Sequence, residues 1–171
     1  MPTKATAPAA KKSARPAKAD ATKLLMADHK EVHAMFQQYK KLADAEADAS
    51  AREALATEIC TALTVHATVE EEIFYPAARE AEVDADLLDE AEVEHASAKD
   101  LIAQIESMSA DDDLYDAKVT VLGEYIDHHV EEEESEMFPK CRKSDMDLEG
   151  LAEALAARKE ELTAELTGTT A

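Results

Sequence analysis

From Asp20 onward, apolar residues recur at every third or fourth position, the period of an α-helix, and each of the four longest stripes also carries a histidine. The spacing predicts helix A over about 20–45, with Leu25, His29, Val32, Phe36, Tyr39 and Ala43 in line. Helix B is expected over about 50–80, opened by Ser50 as N-cap, with Leu55, Ile59, Ala62, His66, Glu70, Ile73 and Ala77 on one face. Helix C, about 84–108, aligns Leu88, Ala91, His95, Ala98, Ile102 and Ile105. The Ser-Ala-Asp-Asp-Asp stretch at 109–113 supplies the next break. Helix D then runs over about 112–137 with Val119, Leu122, Ile126, His129, Glu133 and Met137. A shorter amphipathic helix at about 147–166 carries Leu148, Leu151, Leu155, Leu162 and Leu166. Four long helices with short connections make an all-α, up-down-up-down four-helix bundle; the fifth packs outside it or mediates self-association.

Composition admits little else. The 171 residues include 35 Ala but only 3 Gly and no Trp, and aromatics are 4%, which argues against a β-sandwich or barrel. Residues 1–19 stand apart, with Lys4, Lys11, Lys12, Arg15 and Lys18, no acid, and three of the five prolines. They can bury no apolar face and read as a disordered basic tail. That tail is either a solubilising or processed leader or a salt-sensitive grip on nucleic acid or another polyanion. The expected organisation is therefore a tail over 1–19, a bundle over 20–142, and a C-terminal helix and tail over 143–171. Residues 20–171 hold 13 basic and 39 acidic side chains, so this body repels phosphate backbones and is a poor DNA reader.

No apolar run approaches the roughly 20 residues of a membrane span. No apolar stretch follows the N-terminal lysines, so a secretory signal is not expected. Cys60 and Cys141 form neither a CxxC nor a disulfide framework, and a soluble protein of the reducing cytoplasm fits best. Cys60 reads as a small buried hydrophobe, Cys141 as an exposed or boundary thiol.

The histidines carry the chemistry. All six lie on the four long helices, and His29, His66, His95 and His129 each continue an apolar stripe, one per helix. Helices B and D also share a repeat: VHATVEEEIFYP (65–76) aligns without a gap on HHVEEEESEMFP (128–139). His66 falls on His129, Glu70 on Glu133, Tyr75 on Phe138 and Pro76 on Pro139. Both copies contain His-x-x-x-Glu, which puts imidazole and carboxylate one turn apart on the same face. An unpaired buried carboxylate costs on the order of several kcal/mol. A pair of metal ions compensates it, with four neutral imidazoles as terminal ligands and two carboxylates between. Imidazole with carboxylate and no thiolate suits Fe, Mn or Zn. Both the repeat and the phase of Leu122 and Ile126 favour His129 over the adjacent His128. Phe36, Tyr39, Phe74 and Met137 read as core packing around the centre.

Asp28-His29, His66-x-x-x-Glu70, His95, and His129-x-x-x-Glu133 followed by Phe138-Pro139 resemble the bacterial hemerythrin-like (HHE cation-binding) domains over about residues 20–142. The resemblance implies a four-helix bundle around a non-heme di-iron centre, open to O2, peroxide or nitric oxide. By position, His29 and His66 serve one iron, His95 and His129 the other, and Glu70 and Glu133 bridge them. One departure matters: where the oxygen carriers of the family place a second helix-C histidine, this chain has Lys99, which cannot bind iron while protonated. Glu92, Tyr125 and His33 are the candidates to fill that gap. The departure weakens reversible oxygen carriage and favours sensing, reaction with peroxide, including its decomposition, or metal holding. Two other readings stand beside it: a metal buffer without redox turnover, satisfied by Zn or Mn, and an interaction module acting through the basic tail.

Overall fold

The computed structural model describes residues 19–168, so all of the expected tail except Ala19 lies outside the described residues. Helix α1 (Ala21–Asp44) starts where Asp20 turns extended and its carboxylate accepts the Thr22 N–H, an N-cap in the ordinary sense. Helix α2 (Ala49–Val69) begins one residue before the expected Ser50 cap. Asp48 is the capping position instead, because its carbonyl already accepts the Ala51 and Arg52 N–H groups and draws Ser50 into the first turn.

The rod continues through a five-residue π-turn, π1 (Glu70–Phe74), into α3 (Tyr75–Glu80). Helix α4 (Ala85–Glu106) is capped by Asp84, which accepts from Asp86 and Leu87. Helix α5 (Tyr115–Glu132) starts three residues later than the spacing predicts. Glu53 binds Ser109 and Ala110, Asp112 binds the Ser109 N–H, and Leu114 takes a left-handed φ of 71°, so the connection is spent on a turn. A second π-turn, π2 (Glu133–Met137), leads into α6 (Phe138–Lys143), and α7 (Leu148–Thr167) closes the described chain.

The rods form a ring in which α1 packs between α2 and α5, and α4 closes it opposite. Short connections make sequential neighbours antiparallel. Helix α7 lies outside, against α1, α2 and π1, so the fifth helix is packed on the bundle of its own chain.

Both π-turns sit in the repeated segment, each one residue short of a proline. Tyr75 N–H reaches back to the Glu70 carbonyl and Phe138 N–H to that of Glu133, one residue further than in an α-helix. Pro76 and Pro139 have no N–H to continue the ladder, which makes the wider turn cheap at this point. The extra residue rotates everything after it. Phe74, Tyr75 and Ala78 are buried where a regular helix would bury Ile73 and Ala77, both only half-covered. The same rotation buries Cys141 completely, correcting its expected place at the boundary.

The core has two apolar compartments. One gathers Leu25, Val69, Phe74, Leu88, Phe138 and Leu155; the other gathers Val32, Tyr39, Ile59, Ile102, Val119 and Leu122. Phe36 is only partly buried, at the edge of the second. Between them, one turn from each on every rod, lies a polar layer: His29, His66, Glu70, His95, His129 and Glu133, all buried. Leu155 anchors α7 with no exposed surface. Leu155→Ala is expected to cost about 2–5 kcal/mol, read as a lower urea midpoint with unchanged helical circular dichroism.

Candidate metal centre

The four imidazoles point their Nε2 atoms at a common space. His29 and His66 approach to 3.1 Å and His95 and His129 to 3.2 Å, forming two pairs. The two glutamates join the pairs. Glu70 turns Oε1 toward His66 Nε2 at 3.1 Å and Oε2 toward His95 Nε2 at 3.2 Å. Glu133 presents Oε2 to His29 at 3.3 Å and to His129 at 3.5 Å. The structure thus brings together all six residues that the sequence singles out, as two groups of donors that share Glu70.

Every imidazole is held from behind. Nδ1 of His29 meets Glu134 at 2.9 Å, that of His66 meets Asp28 at 3.2 Å, that of His95 meets Glu71 at 2.9 Å, and that of His129 meets Glu94 at 2.7 Å. A carboxylate on Nδ1 fixes the ring and leaves Nε2 as the free lone pair, which is the arrangement of metal-binding histidines. Sequence reasoning missed these four acids as a set. Two of them directly precede a histidine (Asp28, Glu94) and two directly follow a repeat glutamate (Glu71, Glu134), a signal hidden among many surface acids.

It missed Tyr75 as well. The π-turn swings this side chain into the centre, where its hydroxyl donates to Glu133 Oε1 at 2.8 Å and stands 3.3 Å from His95 Nε2. Burial and the two glutamates hold the phenol well above its ordinary pKa, so it stays protonated. The three candidates for the Lys99 gap lie elsewhere. His33 is exposed and pairs with Asp127, Glu92 is exposed and pairs with Arg79, and Tyr125 is half-exposed on the outer surface. Each lies on the solvent side of its helix. Lys99 binds Glu71 at 2.5 Å rather than entering the centre. His129 is buried in the centre and His128 faces solvent.

Electrostatics show what the space is suited to. Glu70 Oε1 and Glu133 Oε2 are fully buried and find no hydrogen-bond partner among the described residues. Orphaned carboxylate oxygens facing imidazole lone pairs fit a cation better than any other occupant. Burial opposes charging of His66, yet Glu70 and Asp28 outweigh it and push its pKa up to about 10. Burial also opposes charging of His129, but Glu133 and Glu94 raise it to about 9. Burial would raise Glu70, and His66 with His95 instead hold it well below the usual carboxylate range.

Residues 20–141 match the profile of the Hemerythrin HHE cation binding domain. The chain belongs to that family. Among solved structures, a hemerythrin HHE cation binding domain-containing protein from Mycobacterium kansasii is similar at 24% identity, with a TM-score of 0.70 over 85% of this chain and 88% of that one. This likeness establishes the shared fold. No curated protein matches the chain. Membership of the HHE family and the buried His/Glu groups together make this a cation-binding helical bundle. Among the described residues no helix is long and apolar enough to cross a membrane.

The raised imidazoles carry a pH signature. After chelation, protons replace cations as the partners of Glu70 and Glu133. A group whose folded pKa is raised contributes stability below its unfolded value, near 6.5 for histidine, and loses it as pH rises through the folded value. The melting temperature of stripped protein should therefore fall between about pH 7 and pH 10. It should fall again as pH drops below about 4.5, where Glu70 in the unfolded chain takes up a proton while the folded carboxylate, held well below its ordinary value, still keeps its charge. Thermal melts across this range test it; the alkaline slope should flatten in His66→Gln.

Proposed function

We propose that the polar layer holds two iron ions and that the protein engages O2 or reacts with peroxide or nitric oxide there. His29 and His66 would hold one ion, His95 and His129 the other, with Glu70 and Glu133 shared. The observation that carries this reading is the pair of orphaned carboxylate oxygens placed among four Nε2 atoms whose Nδ1 sides are all tied. Iron, when bound, supplies the redox and ligand-binding chemistry.

The chain's own residues supply orientation, access and a proton. A cavity of about 30 Å³ adjoins the imidazoles, lined by Val32, Leu63, Ala98, Ile102 and Ile126. Its size and apolar walls admit a molecule of two heavy atoms and disfavour larger or charged ones. Lys99 stands at its lining with its charge offset by Glu71. Tyr75 keeps a proton beside His95 and Glu133, on the side where the helix-C histidine is replaced by Lys99. A hydroxyl that can donate there supports reaction or sensing over simple carriage. Both thiols, Cys60 and Cys141, are buried and free, which suits a reducing compartment such as the cytoplasm.

Aerobic iron loading followed by metal analysis and an optical spectrum, before and after peroxide, tests the proposal. Expected are two irons per chain, visible absorption, and a spectral change with peroxide that is altered in Tyr75→Phe. Glu70→Gln should lose most of the bound iron, since a neutral amide cannot offset two dications. Uptake of zinc or manganese in preference to iron, with no response to peroxide, would overturn the redox reading in favour of metal holding. Chelation should lower the melting temperature, because the ions offset buried charge.

A further inference from the structure

The correspondence between the two halves of the bundle extends beyond the centre and breaks at one informative place. Asp28 and Glu94 each precede a histidine and each tie the opposite imidazole, His66 and His129. Beside Asp28 the second half of its surroundings is Val65 and Val69, both buried where α7 packs. Lys159 from α7 places its ammonium on the oxygen of Asp28 that His66 does not use. Beside Glu94, the positions matching Val65 and Val69 are His128 and Glu132.

We infer that Glu94, His128 and Glu132 form an accessory surface site for a transition-metal dication, linked to the buried centre through Glu94. His128 Nε2 stands 3.5 Å from Glu94 Oε1 and 3.5 Å from Glu132 Oε1, and the three donor atoms lie within 4.8 Å of one another. These separations are long for hydrogen bonds. The two His128 separations match the roughly 3–4 Å between donors that share one ion at about 2.0–2.2 Å. Glu94 spends Oε2 on His129 and turns Oε1 outward, so the site shares a carboxylate with the interior.

The equivalent place in the other half already holds a cation, the Lys159 ammonium. Glu71 likewise has the ammonium of Lys99. Among the described residues, the ion pairs of Glu94 and Glu132 are with histidines alone. Where one half supplies its own charge from α7, the other offers an imidazole and two carboxylates to solvent. An imidazole selects Zn2+, Mn2+, Fe2+ or Co2+ over Mg2+ or Ca2+, which prefer oxygen donors throughout. An ion on Glu94 Oε1 draws electron density from Oε2 and weakens its hold on the His129 N–H. The site therefore captures dications beside the centre and tunes one of its imidazoles. This inference needs the Glu94–His129 contact but not the identity of the buried metal.

The test uses the full chain carrying its buried metal load, measured by elemental analysis, and titrates it with Zn2+ in excess Mg2+ to saturate diffuse acidic binding. Calorimetry should show one further equivalent, and the His128 ring proton should shift in the NMR spectrum. His128→Ala should weaken that equivalent on the order of tenfold or more, and Glu132→Gln should weaken it too. His33→Ala, which removes a different exposed imidazole, should leave it unchanged. The inference fails if wild type takes up no added equivalent, if His128→Ala binds as wild type does, or if the added zinc is matched by release of buried metal. Buried metal content is read separately throughout, so a wrong assignment of iron does not mimic any of these results.

Discussion

Two carboxylate groups with no route to water govern this structure. Glu70 and Glu133 are buried at the waist of the bundle, each with one oxygen that no donor among the described residues satisfies. An uncompensated carboxylate there is among the costliest features a small helical protein can carry. Four imidazoles surround the pair, and four outer carboxylates hold those imidazoles with Nε2 inward. The two apolar compartments on either side exclude water and keep the polar layer from relaxing outward.

The π-turns connect this charge layer to the fold. Each begins at one of the two glutamates and ends before a proline, so the wider turn falls where the helix ladder is already interrupted. In the first repeat the rotation delivers Tyr75 to the centre; in the second it delivers Phe138, which stacks on His29 with ring centroids 5.8 Å apart. The same backbone device thus gives the His95/His129 side a hydroxyl and the His29/His66 side an aromatic wall. Asymmetry between the two imidazole pairs arises from one atom's difference between phenol and phenyl.

A second asymmetry lies outside. Helix α7 covers the α1–α2 face and neutralises Asp28 with Lys159, whereas the α4–α5 face keeps Val93 and Tyr125 exposed and leaves Glu94 to its histidines. The repeat runs through both halves, but among the described residues α7 covers only one of them. The two imidazole pairs therefore differ both at the centre, in Tyr75, and at the surface, in the partners of Glu94.

Helix class, the number of rods, the in-phase histidines and the paired His-x-x-x-Glu were all legible in the chain, because each depends on local period and spacing. Periodicity assumes a constant turn, and that is why Ile73, Ala77 and Cys141 were misplaced: a single inserted residue at each π-turn changes the phase of all that follows. Tyr75 and the carboxylates behind the imidazoles were illegible for a related reason. Glu71, Glu94 and Glu134 are indistinguishable in sequence from the many acids that face solvent, and only the approach of a neighbouring rod gives each a histidine. Sequence by itself determined which residue types lie on which helix face; tertiary structure alone decided which nitrogen meets which oxygen, since those contacts join rods far apart in the chain.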